Sequence, residues 1–404
     1  MKKNFIFISE SVTEGHPDKL CDRISDAIVD HFLEQDPYAR VRAECAVSTS
    51  ILFIAARFAS EARVDIPHVA RKVISKTGYV KSDFNAQACS ILNSLQEYPP
   101  DADLFFNEQR LADEEIEKIK VRQQATVFGY ACRQTQALMP LPIWLAHKLA
   151  RQIMAARLRD DLSYLSPDAK TMVGIEYHNR TPHRIHSLTL VLSAAGAQKR
   201  VIPINKIEAE IRGGIIDPAF ADEKIKPDQR TAIFINPLEN LMVGGPAVHS
   251  GLTGRKNAVD TYGEYARHSG NALSGKDPLR IDRIGVYAAR YAAKNLVAAG
   301  LAEECEVVLS YSIGLAHPAS IQVETFGTGK IPDGALVALL ENHFDFRLAA
   351  ILRDFNLRHQ PSRHQGCFYS RLAAYGQVGR LDMELPWEQT DKVDILKDQA
   401  KVIG

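Results

Sequence analysis

Ser9-Glu10-Ser11-Val12-Thr13-Glu14-Gly15-His16-Pro17-Asp18-Lys19 runs straight into Leu20-Cys21-Asp22-Arg23-Ile24-Ser25-Asp26-Ala27-Ile28, and the rest of the chain is read outward from this stretch. Pro17 suits the first position of a helix, where its missing N–H would be unsatisfied in any case. Leu20, Ile24, Ile28 and Phe32 recur at helical spacing and give one apolar stripe. Pro37 marks the stop. His16, Asp18 and Lys19 therefore crowd the N-terminus of an amphipathic helix, an end whose free N–H groups and dipole attract anions such as phosphate. Together they offer a proton donor, a metal ligand and an anion contact. The same residues would also serve a well-capped helix with a solvated start.

Upstream, Asn4 to Glu10 reads as a first strand, too short for a signal-peptide core. Downstream, Val41 to Phe58 reads as a hairpin about Ser48-Thr49-Ser50. A short helix follows at Val69 to Lys76, then a strand at Ala86 to Leu95. From Pro99 to about Lys120 the chain is polar. The charge run from Asp113 to Lys118 reads as a solvated helix face, with a mobile lid as the alternative. Helices are expected at Ile143–Arg157, Ile204–Ile211, Ile284–Ala299, Leu336–Asn342 and Leu348–Phe355. Strands are expected at Thr171–Tyr177, Ile185–Ser193, Ile233–Pro237, Val307–Ile313 and Ser320–Phe326. Strands and helices alternate with antiparallel hairpins, not as a doubly wound repeat.

The 404 residues allow two or three domains, and the formal net charge of +0 gives no global field toward nucleic acid or a membrane surface. No apolar run approaches the roughly 20 residues that cross a bilayer. Six scattered cysteines without a CxxC pair point to reduced thiols in the cytoplasm and away from a zinc site.

Gly270-Asn271-Ala272-Leu273-Ser274-Gly275-Lys276 fits GxxxxGK, but Asp277 stands where a P-loop needs Ser or Thr, and no buried strand precedes it. The physical point survives the failed motif. Glycines allow close backbone approach, and Lys276, with Arg255 and Lys256 nearby in sequence, could neutralise a polyphosphate. Asp282 could hold its metal together with Asp18, because magnesium favours carboxylate and phosphate oxygens.

The opening stretch resembles the signature of S-adenosylmethionine synthetases, and the resemblance continues in order and spacing to about residue 395. It is carried by FGYA at Phe128, LMP at Leu138, PDAK at Pro167, INP at Ile235, GGP at Gly244 and GLTGRK at Gly251. VDTYG at Val259, SGKDP at Ser274, YAARY at Tyr287, VETFGT at Val323, AAYG at Ala373 and PWE at Pro386 continue it. The resemblance implies an α/β fold of α+β type, with three interleaved subdomains related by a pseudo-threefold. Their expected bounds are 1–110, 120–242 and 243–395. It implies homodimers or tetramers with active sites at the interface. It also implies that methionine sulfur attacks C5′ of ATP and expels the triphosphate, which is then cleaved to pyrophosphate and phosphate. Carried over by position, His16 meets the leaving oxygen, and Lys170, Arg255, Lys256 and Lys276 line the phosphates. Asp168 takes the ribose or nucleotide side, Lys19 and Arg280 contact substrate, Asp18 and Asp282 hold Mg2+, and Glu44 belongs to a K+ site.

Departures cluster on the amino-acid side. Arg57 stands where the family has a glutamate, Tyr98 where it has a glutamine, and Gln123 and His249 where it has aspartates; Leu241 replaces an aromatic residue, and Arg280 a lysine. These leave three readings: methionine adenosyl transfer with compensating changes, transfer to a different and carboxylate-bearing acceptor, or a non-catalytic homologue that binds ATP. Triphosphatase action alone is a further enzyme alternative.

Overall fold

The computed structural model describes residues 4–80, 84–99, 105–159, 162–194, 204–237 and 241–403. The polar segment at Pro100–Asp103 lies outside them. In chain order the strands are β1 (Phe5–Val12), β2 (Arg40–Ser48), β3 (Ile51–Ala59), β4 (Ser90–Glu97), β5 (Ala125–Cys132), β6 (Leu165–His178), β7 (Thr181–Ala194), β8 (Ala232–Ile235), β9 (Met242–Val243), β10 (Gly251–Leu252), β11 (Glu304–Tyr311) and β12 (Ser320–Glu324). The helices include α1 (Pro17–Gln35), α2 (Ile66–Thr77), α3 (Asp113–Ile116), α4 (Leu141–Leu158), α5 (Ile204–Ile211), α6 (Asp217–Phe220), α7 (Asn257–Asp260) and α8 (Ile281–Ala298).

Three sheets carry these elements, in the orders β1-β6-β7-β8 with β9 on β7, β10-β2-β3-β4, and β12-β11-β5. Each sheet takes an edge strand from another part of the chain. N-terminal β1 edges the central sheet, central β5 edges the C-terminal sheet, and C-terminal β10 edges the N-terminal one. This cyclic exchange is the interleaving the resemblance implies. Most pairs are antiparallel, but β4 on β3, β8 on β7 and β9 on β7 are parallel, which the hairpin reading did not anticipate.

One core lies between α4 and the central sheet, where Leu145, Leu149 and Ile153 meet Val173, Ile175, Leu188 and Leu190. A second, larger core joins α1 and α8 to the other two sheets. The expected apolar stripe of α1 is buried there. At Gly129, a Cβ would sit 2.0 Å from the Ala289 carbonyl carbon, so glycine sets how closely β5 approaches α8. Element boundaries shift where partners outweigh local signals. β6 begins at Leu165 and takes in Pro167, Asp168 and Lys170, which sequence alone leaves as a lead-in. The register of β6 against β7 breaks between Leu165 and Ala169, which accommodates the proline.

A second stripe runs along α1. Asp18, Asp22, Asp26 and Asp30 are four residues apart and buried. Asp18 accepts from Leu252 N–H at 3.0 Å and Asp22 from Gly254 N–H at 2.7 Å. Asp26 accepts from Gly275 N–H at 2.8 Å and holds both terminal nitrogens of Arg283, at 2.7 and 3.0 Å. Asp30 accepts from the N–H groups of Tyr369 and Ser370. Breaking a fully buried ion pair from one side leaves the other charge uncompensated. Asp26→Ala is therefore expected to cost about 3–5 kcal/mol, read as a lower urea midpoint, with partial recovery in Asp26→Ala/Arg283→Met. A loss below about 1 kcal/mol would contradict this account of the pair.

Candidate active site

Thr13 and Gly15 bring the start of α1 onto β6. Thr13 exchanges hydrogen bonds with Ala169 and donates its hydroxyl to the Pro167 carbonyl at 2.6 Å. A Cβ on Gly15 would lie 2.3 Å from Pro167 Cβ, and one on Gly251 would lie 2.3 Å from the Pro17 carbonyl carbon. These close approaches set Asp168 and Lys170 from the central sheet, and the 249–256 segment, around His16.

His16 caps α1, with its Nδ1 accepting the Asp18 N–H at 3.3 Å. Its remaining imidazole proton therefore sits on Nε2, as a donor. Burial, followed by Lys170, Lys256, His249 and Lys19, pushes its pKa down to about 3. The 3.8 Å approach to the Asp18 carboxylate is consequently not an ion pair at neutral pH. Arg255 reaches Asp18 at 3.5 Å, and Lys256 pairs with Glu10 at 2.6 Å. Lys170 is exposed on β6. Asp168 is buried and accepts the Gly245 N–H at 2.7 Å, while its other oxygen is buried without a partner. Burial raises its pKa, against the Gly245 N–H, His249 and Lys170.

A second cluster forms at the start of α8. Lys276 pairs with Asp282, Gln123 donates to the other Asp282 oxygen at 2.5 Å, and Arg280 donates to Gln123 at 3.3 Å. Residues 275–277 lie along β2, where a Cβ on Gly275 would stand 2.0 Å from the Ala43 carbonyl oxygen. The GxxxxGK stretch is thus a strand-side loop, as Asp277 indicates, and not a P-loop. Arg57 and Tyr98 line a cavity with Arg280.

Lys19 requires a correction. Its side chain is completely buried and donates to Asp22 at 2.7 Å and Asp260 at 2.5 Å. Burial alone would lower its pKa, but the two carboxylates raise it, so it is a charged tie between Asp22 and Asp260 and not an exposed group at the mouth of the site. Glu44 is exposed on β2, apart from Asp18 and Asp282, with Oε1 taken by Arg42 at 2.6 Å. Among the described residues no three histidine, cysteine, aspartate or glutamate side chains gather as a metal cage. Sequence reading missed Glu10, which orients Lys256, and Asp260, which holds Lys19. The four-residue spacing of aspartates in α1 was a legible signal for the network that contains Asp22.

A neutral imidazole donor among cations, at a helix N-terminus beside carboxylates, supports group transfer on a phosphate-bearing substrate. Comparison makes the class specific. Family models for S-adenosylmethionine synthetase match as the N-terminal domain at residues 4–100, the central domain at 118–241 and the C-terminal domain at 243–389. An S-adenosylmethionine synthase of Trichormus variabilis is 47% identical, across 98% of this chain and 97% of its own length. Its counterparts in Nostoc punctiforme and Gloeothece citriformis are 46% and 45% identical, each across at least 97% of both chains. The chain belongs to the S-adenosylmethionine synthetase family, and it is a transferase.

The depressed pKa gives a sign. His16 stays neutral from pH 8 down to about 3, so it contributes no break to the pH profile of kcat/KM near 6–7. Selective 13C labelling should show its imidazole resonance unshifted between pH 8 and 5, and moving upward in pKa in Lys170→Ala. A midpoint near 6.5 would refute the account of burial and cationic neighbours.

Proposed function

We infer that this chain forms S-adenosylmethionine from ATP and methionine, with release of phosphate and pyrophosphate. The observation that carries the reading is the buried His16 at the start of α1, its Nδ1 accepting the Asp18 N–H, with Lys170, Lys256 and His249 placed around it so that its protonation is disfavoured. The sulfur lone pair attacks C5′ in line, the C5′–oxygen bond breaks, and its electron pair leaves with the triphosphate. Positioning lowers the entropic part of that barrier. His16 Nε2–H donates to the departing oxygen without changing charge, while Lys170, Arg255, Lys256 and Lys276 meet the charge that builds on the phosphates. Asp168, with one buried oxygen unpartnered, takes a hydroxyl on the ribose side.

Asp18 and Asp282 suit magnesium, which binds through one or two carboxylates plus substrate phosphates and needs no all-protein cage. Bound there, Mg2+ would neutralise phosphate charge. Glu44 retains one oxygen clear of Arg42 for K+.

The His16 and Asp282 clusters have separate partners, and the reading takes them as half-sites that meet between two copies of the chain. Exposed apolar residues support a homodimer or a tetramer of dimers. Strand register puts Ile6, Ile8, Met172, Val191 and Phe234 on the outer face of the central sheet. It puts Ile51, Phe53 and Leu92 on that of the N-terminal sheet. The subdomain bounds 1–110, 120–242 and 243–395 belong to the same proposal. No described helix is long and apolar enough to cross a membrane. The six cysteines are unpaired, which supports a cytoplasmic setting.

Incubation with ATP, Mg2+ and K+ should yield S-adenosylmethionine by mass spectrometry only when methionine is present. His16→Asn should lower kcat by about 10²–10³-fold with the fold retained. ATP binding without a nucleoside product would favour the non-catalytic reading instead. Ile8→Glu should shift sedimentation toward monomer and remove activity; an active monomer would refute the shared site.

A further inference from the structure

Gln377 is fully buried between two segments that carry cations of the site, and each of its polar groups is engaged. Its side-chain N–H donates to the Ser274 hydroxyl at 3.3 Å, just ahead of Gly275 and Lys276. Its backbone N–H donates to the Asp260 carbonyl at 2.8 Å, in the segment that follows Arg255 and Lys256. Its Oε1 accepts the Tyr287 hydroxyl at 2.5 Å, and its carbonyl accepts the Trp387 indole N–H at 3.0 Å. From Tyr287 the contacts return to the same loop. The Tyr287 hydroxyl accepts Arg283 Nε–H at 3.0 Å, Arg283 donates to the Lys276 carbonyl at 2.8 Å and to Asp26, and Asp26 accepts the Gly275 N–H. Ser274, Gly275 and Lys276 are thus each held by a member of one closed, buried circuit. The Tyr287 ring stacks on Trp387, with centroids 3.9 Å apart and planes 5° from parallel, which fixes the hydroxyl that Gln377 receives. The backbone around Gln377 is equally constrained: Tyr375 holds φ 65°, a costly conformation outside glycine, and Gly376 and Gly379 lie at 88° and 71°.

We propose that Gln377 is a positioning residue for the transfer reaction. Through Ser274 it fixes the loop that presents Lys276 to the phosphates, and through the Asp260 carbonyl it ties that loop to the Arg255–Lys256 segment. The proposal rests on the adenosyl-transfer reading and deepens it. A lysine ammonium stands on a flexible four-carbon stem, so its place depends on the backbone that carries it. That backbone turns at Gly275, φ 79°, against the Ala43 carbonyl, where there is no room for a side chain to brace it. The direction of Lys276 is therefore set by hydrogen bonds on either side of the glycine: the Ser274 hydroxyl to Gln377 and the Lys276 carbonyl to Arg283. Its ammonium pairs with Asp282, so the loop also sets how that carboxylate is met. A buried polar network specifies one arrangement only while every member is satisfied. Without the Gln377 amide, the Tyr287 and Ser274 hydroxyls lose a partner, while the Asp26–Arg283 pair stays in place. Stabilisation of a departing triphosphate depends on cations that are in position before the charge develops. A displaced Lys276 therefore costs rate more than it costs methionine binding.

Gln377→Leu keeps the size of the side chain and removes both of its contacts. In the full-length enzyme with ATP, methionine and Mg2+ it should lower kcat about 10- to 100-fold, the cost of a small misplacement, with KM for methionine within about threefold of the unmutated enzyme. In a Lys276→Ala background the same substitution should cost less than about twofold, because the group through which it acts is gone. Ser274→Ala cuts the contact from the loop side with little risk to folding; it should act in the same direction and add nothing to Gln377→Leu. The inference is overturned if Gln377→Leu lowers the urea midpoint and leaves kcat unchanged, or if it lowers kcat by the same factor with and without Lys276. Where Gln377→Leu does not fold, Ser274→Ala decides by the same comparison. Absence of any nucleoside product from the unmutated enzyme would count against adenosyl transfer itself. Calorimetric titration of a non-hydrolysable ATP analogue with Mg2+ then decides the positioning. Affinity about tenfold weaker in Gln377→Leu and Ser274→Ala, the scale of one hydrogen bond to a charged group, supports it. Affinity equal to that of the unmutated enzyme overturns it.

Discussion

Asp18, Asp22, Asp26 and Asp30 lie one above another on α1, and each carboxylate grips the backbone of a segment more than two hundred residues away. Residues four apart on a helix share a face, so a single helix becomes a rack on which the loops at 252–254, 275 and 369–370 hang in fixed order. Burying four carboxylates is costly unless each is met by hydrogen bonds or an opposite charge. Here backbone N–H groups meet all four, Arg283 completes Asp26, and Lys19 stands between Asp22 and Asp260. The arrangement stabilises the fold only as a whole. Displacement of one loop would leave a charge in the core without its partner, which ties the cationic loops to the start of the helix.

That tie explains the electrostatics of His16. The loop held by Asp18 and Asp22 continues into Arg255 and Lys256, and the strand held by Thr13 carries Asp168 and Lys170. Cations are thereby brought around an imidazole that is already buried, and protonation becomes unfavourable on both counts. A protonated histidine would add one more charge to a cluster rich in them. A neutral one adds a directed donor, fixed by the Asp18 N–H on its other nitrogen.

Much of this was legible locally. Pro17, the stripe Leu20–Ile24–Ile28–Phe32 and Pro37 bound α1 without reference to anything distant, and the glycine and lysine of SGKDP announced a close backbone approach beside a charge. Lys19 was misread because its fate depends on Asp260, 241 residues along the chain. Beside His16 and Asp18 it looks like a third active group, whereas the fold turns it inward. The extent of β6 was hidden because Pro167 opposes a strand locally, and only β1 and β7 on either side hold it there. The face shared by Arg42 and Arg57 depends on hairpin register, which the turn at Ser48–Ser50 sets, while the approach of Arg280 comes from the distant start of α8.

The two charged regions differ in their mix of cations: Arg255 joins Lys170 and Lys256 near His16 and Asp18, whereas the outer face of β2 and β3 carries arginines alone. Around His16, Lys170 and Lys256 are compact point charges on flexible stems. Across the outer face of β2 and β3 the cations are all arginines, whose rigid forks match a planar carboxylate and whose weak hydration lowers the cost of removing water from them. Gln123 lies between the regions, donating to Asp282 and accepting from Arg280. An aspartate in its place would pair with Arg280 and repel Asp282. As a neutral bridge it leaves the guanidinium charge of Arg280 uncancelled at the cavity wall, while holding the Asp282 carboxylate beside Lys276.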